Sequence, residues 1–152
     1  MDRELLAESS IFKDLNDHEM ELVVGVCEVL EVKAGEYVFH EGDEGDRLYI
    51  IQAGEVRISR VVPGTGEEAL TVLKRGACFG EMSVLDQSER SADAIANSRC
   101  TLLSITRSNF ELMLLADLSI ANKVLWAVVR MLCERLRMTN EAFHSLMVMA
   151  MF

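Results

Sequence analysis

Every glycine of this chain lies between Gly25 and Gly80, and none follows. Glycine supplies the positive φ that tight turns need, so a segment holding all nine is a segment of many turns and short elements. The only proline, Pro63, falls in the same segment. Beyond residue 80 nothing interrupts helix propagation, because glycine and proline are the residues that cost a helix interior most. The chain therefore divides into a turn-rich β half and a helical half.

The punctuation sets the strands. A first amphipathic helix is expected from Asp17 to Val26, within an N-terminal helical region of about 10–26. Asn16 is its N-cap and Met20, Val23 and Val24 point inward. Strands then follow at Glu28–Val32, Tyr37–His40, Leu48–Gln52, Val56–Val61 and Ala69–Leu73. Turn residues bound each of them, and Pro63-Gly64-Thr65-Gly66 reads as a hairpin tip. Two more strands, Ala92–Ala96 and Cys100–Ile105, bring the set to about eight, which suits a small antiparallel β-roll or jelly roll over about 27–106. The fold class is mainly β with flanking helices (α+β), in a single domain spanning 1–152.

The helical half occupies about 107–150. A short helix is expected from Asn109 to Leu115, with Ser108 and Glu111 placed as a capping box. A long one begins near Ser119. Along it Leu125, Val129, Leu132, Leu136, Thr139, Phe143, Leu146 and Ala150 recur at alternating spacings of four and three. That is the seam of a parallel coiled-coil-like dimer and predicts a homodimer, the alternative being an ordinary core helix laid on the roll. Trp126, Val128 and Met131 form a second apolar face, expected to lie on the roll. Met147, Met149, Met151 and Phe152 make an adaptable apolar tail, for the dimer or for another protein.

The chemistry concentrates in Phe79 to Ala92, FGEMSVLDQSERSA. Phe79-Gly80-Glu81 reads as a turn opening a short helix over Met82 to Leu85. A helix start presents unpaired N–H groups and the positive end of a dipole, which favours an anion. Arg90 can add a charge-assisted grip on a phosphate oxygen, worth roughly 1.5–3 kcal/mol per bond. Glu81 would repel a phosphate and is suited to accept from a sugar hydroxyl. Phosphate and hydroxyl together indicate a nucleotide. The plainer alternative is a surface turn in which Glu81 and Arg90 pair.

This stretch closely resembles the phosphate-binding cassette of cyclic nucleotide-binding domains, the module of catabolite activator proteins and protein kinase A regulatory subunits. Phe79, Gly80, Glu81, Met82, Ser83, Arg90, Ser91 and Ala92 fill the family pattern. The glycine spacing from Gly42 to Ser59 is similar to the family's roll. The resemblance implies that Glu81 binds the ribose 2′-hydroxyl, Arg90 the cyclic phosphate, and Ser91 a further oxygen. The run Glu134 to Asn140, ERLRMTN, resembles the dimer helix of the catabolite activator family. It implies that Thr139 and Asn140 read the base, with Arg135 and Leu136 closing the pocket and Leu70, Thr71 and Ile58 along its wall. The alternative for Thr139 is a bond back to the Arg135 carbonyl. Asp93 departs from the family's frequent Thr and is expected to share a strand face with Ser91, near the phosphate. No helix-turn-helix, kinase or channel segment follows the long helix, so the chain is either a free-standing sensor or a sensor lacking its output domain.

Composition narrows the classes further. Fifteen basic against twenty-five acidic residues give a net charge of −10, the wrong sign for direct nucleic-acid binding. No apolar run is long enough for a membrane span, and nothing at the N-terminus reads as a signal peptide. Cys27, Cys78, Cys100 and Cys133 show no metal or CxxC spacing, which suits free thiols in a reducing cytoplasm. His18, His40 and His144 lie in separate elements, so neither metal nor catalytic site is expected. The expectation is a sensor and not an enzyme, with no cofactor, whose ligand is cAMP or, alternatively, cGMP. Its downstream effector protein is unknown. A non-binding dimerisation module, or a sensor of another small anion or a cyclic dinucleotide, are the competing readings.

Overall fold

A computed structural model describes residues 3–152. The elements run α1 (Arg3–Glu8), α2 (Asp17–Val26), β1 (Glu28–Val32), β2 (Tyr37–Phe39), β3 (Arg47–Ala53), β4 (Val56–Val62), β5 (Gly66–Leu73) and β6 (Cys78–Phe79). Then follow α3 (Glu81–Asp86), β7 (Asp93–Ala96), β8 (Cys100–Thr106), α4 (Arg107–Ala116) and α5 (Leu118–Ala150). Two four-stranded antiparallel sheets, ordered β1-β8-β3-β6 and β2-β7-β4-β5, face each other as a roll.

The central strands of the first sheet, β3 and β8, are buried on both faces, which explains why β3 is apolar without alternation. Tyr49 and Ile51 point into the roll beside Val56, Phe79 and Leu102. Leu48 and Ile50 point the other way, into a second core with Phe12, Phe110, Ile120 and Val124 from the helices. The roll and the helical layer thus share one sheet as a common wall.

The helices dock by caps as well as burial. The Asn16 side chain accepts from the Glu19 amide at 2.9 Å while Glu19 accepts from the Asn16 amide at 2.9 Å, a reciprocal cap. Buried Glu19 also receives Lys123 Nζ of α5 at 2.5 Å, tying α2 to the long helix. The Asn16 bond and then Lys123 hold the Glu19 carboxyl down at about 2.

Several expectations are corrected. α1 lies ahead of the expected N-terminal helix, with Leu5 and Leu6 fully buried. β6 is an additional strand, and β7 begins at Asp93 rather than Ala92. The cap of α4 is Thr106, whose hydroxyl accepts from the Asn109 amide at 3.1 Å, and not a Ser108/Glu111 box. Trp126 is more than half exposed with Arg130 over its ring, off the roll. Residues two apart on a helix lie about 200° apart, so Trp126 cannot share the buried stripe with Val128.

α5 is 33 residues long, and only its start is covered. Ile120, Val124, Ala127 and Val128 are buried, with Met131 and Leu132 half-buried against the same core. From Cys133 to the end every residue is exposed, including Leu136, Phe143 and Leu146 of the seam.

Candidate functional site

The cassette is built on a glycine with no room for anything else. Gly80 caps α3 at φ 78°, a left-handed conformation. A Cβ there would come within 2.7 Å of an Arg90 nitrogen and 3.2 Å of the Arg47 carbonyl oxygen. The close approach lets Arg90 reach inward from the segment after α3. Its Nη1 donates to the Gly80 carbonyl at 2.7 Å and its Nη2 to the Arg47 carbonyl at 2.6 Å. The guanidinium carbon sits 4.2 Å from the Phe39 ring centre, with Tyr49 at 5.9 Å. Phe79 stacks on Tyr49 at 5.2 Å, completing an aromatic floor.

Arg90 is only 3 % exposed, and it forms no ion pair with a carboxylate among the described residues. Its Nε is buried without a hydrogen-bond partner. Burial pulls its guanidinium below the ordinary arginine range. A buried cation held by carbonyl dipoles and ring faces, with Asp46 and Asp43 acting only at a distance, is expensive, because its charge is desolvated without a counter-charge in contact. An anion placed beside it would supply one.

Glu81 does not pair with Arg90. Its buried carboxylate accepts from Arg135 Nη1 of α5 instead, so the plainer reading of a Glu81–Arg90 surface pair is corrected. The contact ties the cassette to the long helix beyond the point where the roll stops covering it.

Between these groups lies a cavity of about 530 Å³, within the usual range for small-molecule sites of about 300–1,000 Å³. Gly80, Glu81, Met82, Ser83, Arg90, Ser91 and Ala92 line it from the cassette. Ile58, Leu70 and Thr71 line it from β4 and β5, and Arg135 and Thr139 from α5. Leu136 and Asn140 are not in its wall but exposed on other faces of α5. Each follows a lining residue, and one residue turns the helix by about 100°. The lining set on α5 is Arg135, Met138 and Thr139, the spacing of one helix face; Met138 was missed although that spacing was legible. Phe39 and Leu73 were also missed, since nothing local in the sequence marks a strand residue as a cavity floor.

Two hydroxyls are already engaged. Ser83 Oγ donates to the Glu89 carbonyl at 3.3 Å, and Thr139 Oγ1 donates to the Arg135 carbonyl at 2.9 Å. Thr139 thereby takes its alternative bond while keeping its place in the wall. Asp93 is a further correction. It is buried and accepts from the Glu41 amide at 2.7 Å, outside the cavity, so it adds no lining charge.

No group of three or more acidic, histidine or cysteine side chains could hold a metal among the described residues, and no helix there is long and apolar enough to cross a membrane.

Comparison with known proteins gives this geometry its relatives. The chain is 31% identical over 143 residues, 94% of its length, to a CRP-like cAMP-activated global transcriptional regulator of Mycobacterium tuberculosis. It spans 62% of that regulator's own length. Among solved structures, Thermus thermophilus catabolite activator protein superposes with a TM-score of 0.81 at 32% identity, covering 91% of this chain and 63% of that one. The regulatory domain of Toxoplasma gondii protein kinase A, crystallised with cAMP, gives 0.67 at 29% identity, covering 72% of this chain and 42% of the other. The family model of the cyclic nucleotide-binding domain matches residues 29–117, from β1 through the cassette to the end of α4. With that match laid over the roll, the Gly80 turn and the buried Arg90, the chain belongs to the cyclic nucleotide-binding domain family.

Proposed function

We propose that the cavity binds a cyclic mononucleotide, cAMP in preference to cGMP, and that the protein is a sensor signalling through α5 as a homodimer. The observation that carries the reading is Arg90, a buried cation without a carboxylate partner, facing a cavity that also holds a buried carboxylate. Arg90 takes the cyclic phosphate and Glu81 accepts from the ribose 2′-hydroxyl, with Ser91 adding a donor at the rim. The relatives named for cAMP support the ligand class.

Preference for adenine follows from Thr139. Its one proton is committed to the Arg135 carbonyl, so its oxygen can only accept. The 6-amino group of adenine donates to such an oxygen, whereas the 6-carbonyl of guanine presents a second acceptor to it.

The dimer reading rests on the exposed seam. Leu125, Val129, Leu136, Phe143 and Leu146 are exposed, the last three on the part of α5 that the core no longer covers, while Leu132 between them is half-buried against it. A second copy of α5 would bury them, and Thr139, within the same seam, would then stand between the two protomers and the ligand. The four free cysteines suit a reducing cytoplasm, and the net charge of −10 disfavours DNA contact by this chain.

Isothermal calorimetry of the purified protein with cAMP, cGMP and a cyclic dinucleotide tests the proposal. Micromolar or tighter cAMP binding near one per protomer is the expected result. A folded protein that takes up no nucleotide overturns the sensor reading and leaves a dimerisation module. Uptake of a cyclic dinucleotide alone overturns the choice of ligand.

A further inference from the structure

α3 has six residues, too few to hold a helix by its own hydrogen bonds, yet its first turn frames the anion site. Its last four carbonyls, from Ser83 to Asp86, lack helical partners by geometry. Arg107, the first residue of α4, reaches across to one of them. Its Nη2 donates to the Ser83 carbonyl at 2.8 Å and to the Gly45 carbonyl at 2.5 Å, and its own amide donates to the Asp46 carbonyl at 2.8 Å.

The third partner in this clip is Gly45. A Cβ built there would stand 1.9 Å from the Ser83 Cβ, so the 42–46 loop lies directly against α3. Like Arg90, Arg107 has a buried Nε without a partner and no ion pair among the described residues. Asp86, whose carboxyl feels its charge, is held first by Ser88. Two guanidiniums thus converge on one short helix, and after burial itself the charge of Arg107 is among the influences that weaken the hold of Arg90 on its proton.

We propose that Arg107 is a positioning residue for the ligand site: it clips the end of α3 to the Gly45 loop and the start of α4, and so aims the Gly80–Glu81 turn at the bound phosphate. It touches no ligand, because it is absent from the cavity wall. The inference rests on the cyclic nucleotide reading for its ligand, while its mechanical part concerns α3 alone.

The test uses Arg107→Met, which keeps the stem and deletes the donors, and Arg107→Lys, which keeps the charge on a single donor nitrogen. Hydrogen exchange of amides 81–86 in the unliganded protein is expected to quicken at least tenfold in Arg107→Met, and cAMP affinity to fall about tenfold to a hundredfold. Arg107→Lys should recover most of both. Gly45→Ala, which pushes the loop off Ser83 and leaves Arg107 intact, should reproduce the loss and stands in if Arg107→Met does not fold.

Unchanged exchange and unchanged cAMP affinity in Arg107→Met, or in Gly45→Ala where the first does not fold, would overturn the proposal while leaving the sensor reading standing. A parent protein that binds no cAMP, but whose α3 amides loosen in Arg107→Met, would overturn the sensor reading and keep the clip.

Discussion

The cassette and the far half of α5 are opposites in how they treat exposure. At the cassette, charged groups are buried: Arg90 and Glu81 are at 3 % and 2 % exposure. Along α5 beyond Leu132, apolar groups are exposed, with Phe143 at 63 % and Leu146 at 64 %. Each region inverts the rule that a lone globular chain follows, and each inversion costs free energy in the isolated protomer. The two costs call for different complements. A buried cation lacking a directly paired carboxylate calls for an anion, and a bare apolar stripe calls for another apolar surface. Arg135, Met138 and Thr139 stand where the regions meet, on the cavity side of the same helix.

The largest effect should come from breaking the cassette side. Arg90→Ala is expected to weaken cAMP binding by about 2–5 kcal/mol, the cost of truncating one partner of a desolvated charge pair. Arg90→Met should meanwhile leave unliganded stability within about 1 kcal/mol of the parent. It sheds a buried charge as well as two hydrogen bonds, and these terms oppose each other. Calorimetry and denaturant unfolding on the same samples check both. Loss of stability without loss of affinity would make Arg90 a structural cation.

The far half of α5 should respond next most strongly. Phe143→Glu places a carboxylate in the proposed seam and is expected to cost the dimer about 3 kcal/mol or more. Sedimentation should then show a monomer at concentrations where the parent is a dimer, with the roll's own unfolding unchanged. If parent and variant have the same mass at every concentration, α5 is not the protomer contact.

A third effect lies at the covered base of α5, between the two regions. Glu19 holds Lys123, and its carboxyl sits at about 2 when folded against an ordinary 4.5. Its stabilising contribution is therefore whole above pH 4.5 and drains away as pH falls towards 2. Unfolding curves of the parent and Glu19→Gln should differ at pH 6 and converge near pH 2. A constant gap across that range would assign the effect to packing.

These regions also differ in how far the sequence reveals them. The cassette is local, so Phe79 to Ala92 announced the Gly80 turn, α3 and the pairing of Arg90 with a cavity. The seam is periodic, so its leucines were readable as a stripe, and the structure leaves most of them exposed. Contacts between distant segments left no comparable mark. Nothing around Phe39 signals that its ring lies under Arg90, and nothing around Glu81 names Arg135 as its partner. Trp126 shows the limit of counting apolar residues without their angle, and Leu136 and Asn140 show the same for lining residues. Thr106 against Ser108 is a matter of which hydroxyl the strand end happens to aim, a choice made by the register of β8 on β3.

The smallest effect is expected where the two regions meet, at Thr139. Its hydroxyl proton lies on the Arg135 carbonyl, and only its lone pairs remain for a ligand. Thr139→Ala removes one neutral acceptor, worth about 0.5–1.5 kcal/mol. cAMP affinity should therefore fall roughly threefold to tenfold, by the same conversion, with cGMP affinity almost unmoved, so discrimination narrows. Thr139→Ser restores the hydroxyl and should restore the ratio. Because Thr139 is exposed in the single chain, the proposed bond to the base would gain strength only where the proposed second helix excludes water. The Thr139→Ala penalty should accordingly shrink in the Phe143→Glu background. Equal penalties in both backgrounds would mean that ligand recognition and the helix seam are independent, and that the cassette alone selects the nucleotide.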